Sequence, residues 1–113
     1  MDTAWVVGEM SAAEMGDARQ VPSVVRIVSA LAARHDLSLT AACGNGLRQA
    51  AHRIFEHEET SVNGLAAGHF ANTAQRCAEF PVVLVAQDTT VFSYRQSQME
   101  GLGPVCGSKR TQG

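Results

Sequence analysis

With 113 residues, 45% of them apolar and a net charge of −2, the chain is long enough for one domain with a modest core and too apolar to be disordered throughout. That charge excludes a protein held to nucleic acid by its overall field, so any contact with DNA must come from a local basic face. Much of the apolar share is alanine and aromatics reach only 5%, which predicts close-packed helices rather than a bulky sheet core.

In chain order, Ser11-Ala-Ala-Glu14 has the form of a capping box, predicting a short helical turn that Gly16-Asp17 ends. A helix is predicted from near Pro22, which a first turn tolerates, to about His35. Its inward stripe is Val21, Val24, Val25, Val28, Leu31 and Ala32. Ser38 to Cys43 reads as a further helical turn, closed by Gly44-Asn45-Gly46, the strongest local turn signal in the chain. The next helix, about Gly46 to Glu58, is predicted to bury Leu47, Ala50, Ala51, Ile54 and Phe55. Arg48, Gln49, His52, Arg53 and His57 then lie on its other side. Arg48 and His52 are four residues apart, as are Gln49 and Arg53, so these four make a compact polar patch. Ser61 is the predicted N-cap of a long helix reaching Glu79, with Val62, Leu65, Ala66, Phe70, Thr73, Ala74 and Cys77 inward. Gly64 and Gly68 weaken that helix by about 1 kcal/mol each relative to alanine.

Phe80-Pro81 breaks the helix and opens the run Pro81-Val-Val-Leu-Val-Ala-Gln-Asp88. An apolar run without alternation reads as a strand covered on both faces, which places Asp88 at the rim of a buried sheet. Metal-dependent phosphoryl chemistry is often anchored at such a rim. A second strand is predicted from about Val91 to Tyr94 after the Asp88-Thr89-Thr90 bend, giving a C-terminal β-hairpin followed by a polar, Gly-rich tail from Arg95. The three cysteines, Cys43, Cys77 and Cys106, form no Cys-x-x-Cys pair, which speaks against a zinc site and a disulfide framework. An odd thiol count suits a reducing cytoplasm, and no run approaches the ~20 apolar residues that span a bilayer. A cytoplasmic protein without a membrane segment is expected.

The segment Pro81 to Tyr94 resembles the first catalytic strand of bacterial cut-and-paste transposases of the Asp-Asp-Glu class, of the transposon-five type. The resemblance runs from about Trp5 to the last residue. Met15-Gly16-Asp17-Ala18-Arg19 is similar to that family's Leu-Gly-Asp-x-Arg. The helix Val24 to Ala32, the turn Ser38 to Gly44, and Ala50-Ala51-His52-Arg53-Ile54-Phe55, close to Ala-Tyr-Arg-Phe-Phe, follow in order. Gly101-Leu-Gly-Pro104 and Gly107 to Gly113 resemble the loop leading to the second strand. The chain departs from the pattern at His52, where the family has Tyr, and at Gln20, where it has a second Arg.

The resemblance implies a mainly α fold: residues 1–80 a helical transposon-end-binding bundle, and residues 81–113 the truncated start of a ribonuclease-H-like catalytic core. It implies double-stranded DNA as the partner and Arg19, Arg26, Arg48, His52 and Arg53 as the residues that meet it. Asp88 would be a vestigial catalytic carboxylate, and the family's remaining Asp and Glu would lie beyond the end of this sequence. The family uses magnesium; this chain, with one carboxylate, is expected to bind metal weakly, to carry no cofactor and to be no enzyme on its own.

The residues themselves leave alternatives open. Asp88 is either a ligand for magnesium or manganese, which favour oxygen donors, or a turn residue accepting hydrogen bonds from Thr90 or its backbone. Arg48, His52 and Arg53 either grip phosphates and a groove edge or form an ordinary solvated face. His69 reads as a hydrogen-bonded packing residue, His35 and His57 as exposed, and Cys43 and Cys77 as small core residues. DNA binding is the leading function. A self-associating protein paired through residues 81–94 is the alternative, and a nuclease completed by another chain ranks below both.

Overall fold

The computed structural model describes residues 2–92 and Gly101, and those residues fall into two compact units that divide between Val83 and Leu84. The first unit holds four helices: α1 (Trp5–Met10), α2 (Val21–Ala33), α3 (Leu39–Glu56) and α4 (Val62–Ala78), with a 3-10 turn at Ala18–Gln20. α1 packs on both α2 and α4, and α2 packs on α3. Val24 and Ile27 of α2 meet Cys43, Ala51 and Ile54 of α3 in the buried core, with Met10, Met15, Leu47 and Leu65 around them.

α2 and α3 keep close to the predicted extents because their signals are local, although Ile27, outside the predicted inward stripe of α2, is buried. The 3-10 turn feeds straight into α2, and Pro22 sits in its first turn, where a missing N–H does no harm. Ser38 caps α3, its Oγ accepting from the Ala41 N–H at 3.3 Å. The predicted turn at Gly44-Asn45-Gly46 is a kink inside α3: Gly44 has φ 65° and ψ −177°, a region that favours glycine.

α1 was not anticipated. Six residues are too few for a helix to stand alone in water, so α1 depends on its neighbours, and its Val6 is fully buried. Ser11-Ala-Ala-Glu14 does not open a helix. Ser11 instead closes α1, its N–H and hydroxyl both donating to the Val7 carbonyl, while the Glu14 N–H donates to the Gly64 carbonyl at 2.8 Å.

α4 starts as predicted, with Ser61 Oγ accepting from the Gly64 N–H at 3.0 Å, but it is turned differently about its axis. Val62, Phe70, Thr73 and Ala74 are exposed, and the buried positions are Gly64 and Gly68. A Cβ on Gly68 would lie 2.9 Å from Ala12 Cβ and 3.0 Å from the Glu9 carbonyl; one on Gly64 would run into the Glu14 carbonyl. The glycines that weaken α4 as an isolated helix are the surface on which the Glu9–Glu14 segment rests. Asn72, one turn on, donates from Nδ2 to the Gly8 carbonyl at 2.8 Å.

The predicted C-terminal β-hairpin is not there. Residues 81–92 contain no strand, and none occurs among the described residues. Leu84 is 92% exposed and Val82 75%, so the apolar run is not covered on either face. A ladder needs a second segment to exchange N–H and C=O bonds with, and a run's composition cannot supply one. With no sheet, Asp88 stands at no rim, and the start of a ribonuclease-H-like core is absent from the described residues. Ser93, Tyr94, the tail from Arg95 apart from Gly101, Cys106 and the motifs at Leu102–Pro104 and Gly107–Gly113 lie outside them. Among the described residues no helix is long and apolar enough to cross a membrane.

Candidate nucleic-acid interface

The face of α3 that turns away from the core carries the polar patch. With Ala51 and Ile54 buried, the 3.6-residue period sends Gln49, His52, Arg53 and Glu56 outward, and all four are exposed. Arg48 is half-buried. Arg48 and His52 share one turn-to-turn row and Gln49 and Arg53 the next, as the spacing predicts. Neither Arg48 nor Arg53 forms an ion pair among the described residues; the same holds for the exposed Arg26 of α2.

The other described arginines are engaged. Arg34 pairs with Asp36 at 3.5 Å, and Arg76 with Glu9. Arg19 turns its guanidinium back on Asp17, with Nη2 to Oδ2 at 2.9 Å and Nε donating to both carboxylate oxygens. Asp17 also accepts from the Arg19 N–H at 2.9 Å, capping the 3-10 turn. The side-chain bonds from Arg19, then that backbone bond, hold the Asp17 carboxyl below the usual carboxylate range, and Asp17 in turn raises Arg19. The Gly-Asp-x-Arg sequence is thus a self-contained unit. Its glycine is sterically required, since a Cβ on Gly16 would lie 2.5 Å from Glu59 Cβ and 2.8 Å from His57 Cε1. Arg19 therefore meets a phosphate only in competition with Asp17. At the neighbouring position, where the resembled family has Arg, the side-chain oxygen of Gln20 is buried.

His69 is held as expected of a hydrogen-bonded residue: its Nδ1 lies 2.6 Å from Glu9 Oε2. Glu9, largely enclosed, receives Arg76 and His69 together, and chiefly Arg76 lowers its carboxyl from an ordinary 4.5 to about 2. This clamp between α1 and α4 escaped the sequence because its members are 60 and 67 residues apart. Cys43 is buried and Cys77 half-buried, both free thiols; His35 is exposed, whereas His57 is half-buried with its Nδ1 accepting from the Glu59 N–H.

Asp88 is exposed, and its Oδ1 accepts from the Thr89 N–H at 2.7 Å, a contact with its own neighbour and not with Thr90; residues 88–90 form no turn. A divalent ion held by protein needs about two or three carboxylates together. Among the described residues no group of three His, Cys, Asp or Glu side chains is placed to hold one. The described residues therefore do not fit a magnesium ion of the kind the resembled family uses.

Phe55, expected in the core, is 60% exposed. Its place on the wheel, one residue past buried Ile54 and three past His52, puts it at the border of the polar patch.

No solved structure matches the chain. A family model described as transposase DNA-binding matches residues 2–60, which takes in α1, the Gly-Asp-x-Arg unit, α2 and all of α3. Because that match covers more than half of the 113 residues, the chain belongs to the transposase DNA-binding family.

Proposed function

We propose that this protein recognises transposon ends by laying α3 against a DNA duplex, with Arg48 and Arg53 on phosphates and His52 and Gln49 at the groove edge. The observation that carries this reading is the pair of arginines that flank the outward face of α3, each without a carboxylate partner among the described residues, inside the family-matched residues. The planar guanidinium suits phosphate or guanine because it can grip in two places. Glu56, Glu58 and Glu59 repel phosphate at the C-terminal end of α3, so the backbone track crosses toward Arg48. Arg26 on α2 is the next cation available to it, and Arg19 contributes only where it leaves Asp17.

A salt titration of binding to terminal inverted repeats tests this. Affinity is expected to fall steeply with salt, and Arg48→Ala and Arg53→Ala should each reduce the log–log slope by about 1. Arg34→Ala, which removes a cation already paired with Asp36, should leave it unchanged. Weak binding indifferent to salt and to these arginines would reject the reading. The same reading makes the chain a binder that does not cut: a single exposed carboxylate at Asp88 is too little for metal-assisted transfer. Nicking of a supercoiled plasmid by the purified chain with magnesium or manganese would overturn it.

The exposed Leu84, Val85, Val91 and Phe92 of the second unit favour a second reading, in which the chain self-associates through this apolar segment.

A further inference from the structure

We infer that Phe55 is a base-reading residue of the interface, packing its ring on the C5-methyl group of a thymine in the major groove; this rests on the reading of α3 as the DNA-contacting helix. Phe55 presents a large aromatic ring, 60% exposed, at the border between the polar face of α3 and its buried side. Phe55 stands i+7 from Arg48 and i+3 from His52, so the three side chains follow one another along one stripe of α3. Its other flank is Ala51 and Ile54, both buried, which fixes that side of the helix to the core and leaves the ring only the stripe to cover.

The surface that matches such a stripe must offer an apolar spot beside negative charge and hydrogen-bond acceptors. The major groove of a duplex does so wherever a thymine methyl lies next to O4, with phosphates bordering the groove. Arg48 and His52 take the polar part of that pattern and Phe55 the methyl. Phe55 would then contribute discrimination between bases, while the salt dependence of binding comes from Arg48 and Arg53.

The test uses the whole chain and a duplex pool of randomised sequence. After rounds of selection, the enriched duplex is resynthesised with deoxyuridine in place of each thymidine in turn, which removes one methyl and nothing else. At one or two positions affinity is expected to fall about fourfold, the worth of one buried methyl. Phe55→Ala is expected to bind the thymidine duplex about fourfold more weakly and to lose the distinction from deoxyuridine, while its circular dichroism melt shows that it folds. No sensitive position, or equal sensitivity in Phe55→Ala, overturns the inference even where salt-dependent binding is intact. Absence of any salt-dependent binding to the pool overturns the assignment of α3 first and this inference with it.

Discussion

Gly64 and Gly68 read in opposite senses at two levels of structure. As helix residues they are unfavourable by about 1 kcal/mol each relative to alanine. In the fold they let the Glu9–Glu14 segment approach the α4 backbone, and a methyl at position 68 would sit 2.9 Å from Ala12 Cβ. Backbone on the far side cannot retreat as a flexible side chain could, so crowding outweighs propensity. Gly68→Ala is expected to destabilise the protein by about 1–3 kcal/mol. Gly8, in the middle of α1 with nothing within 4 Å of a Cβ, should behave in the opposite way. Gly8→Ala is expected to stabilise by about 0.5–1 kcal/mol, and urea denaturation of the two variants checks both signs. Phe55 teaches the same lesson at the candidate site: a helical stripe tells that a residue lies near the core border, and only the packing tells on which side.

At the level of elements, several signals written within a few residues were legible, though the Ser11–Glu14 capping box, which opens no helix, was not one of them. Ser38 and Ser61 cap α3 and α4, and Gly44 kinks α3 where the Gly-Asn-Gly turn was expected. The register of α4 was not, because its partner is the short α1, which exists only through contacts made far along the chain. The clamp that joins them carries a pH signature. Arg76 and then His69 depress the Glu9 carboxyl from 4.5 to about 2, so its contribution to stability is complete above pH 4.5 and is lost as pH falls toward 2. Asp17, lowered by Arg19, acts in the same direction. Urea midpoints measured from neutral pH downward are expected to fall through this window. Glu9→Gln should be less stable at neutral pH and flatter between pH 4.5 and 2; an unchanged slope would exclude the clamp as the source.

For the whole molecule, the two units make a separable prediction. Among the described residues every helix lies before Val83, and Leu84, Val85, Val91 and Phe92 are exposed. A chain of residues 1–83 is therefore expected to melt at the temperature of the full chain, and to sediment as a monomer where the full chain associates. A markedly lower midpoint would show that residues 84–113 support the helices. Full-length protein that stays monomeric at high micromolar concentration would remove self-association from consideration. The sheet expected around Asp88 failed at this same scale, since strand pairing is a property of two segments and the apolar run is only one.

What the sequence by itself determined is what a few neighbouring residues can decide: the Ser61 cap, the break at Gly44, the burial of Val24, Ala51 and Ile54, and the exposure of His52 and Arg53. The tertiary structure alone decided the rest. It made a helix of Trp5–Met10 by burying Val6, turned α4 onto its glycines, joined Glu9 to Arg76, exposed Phe55 and left Val82–Val85 uncovered. These outcomes depend on which distant segment is present to meet each side chain, and that pairing is set by the free energy of the assembled core.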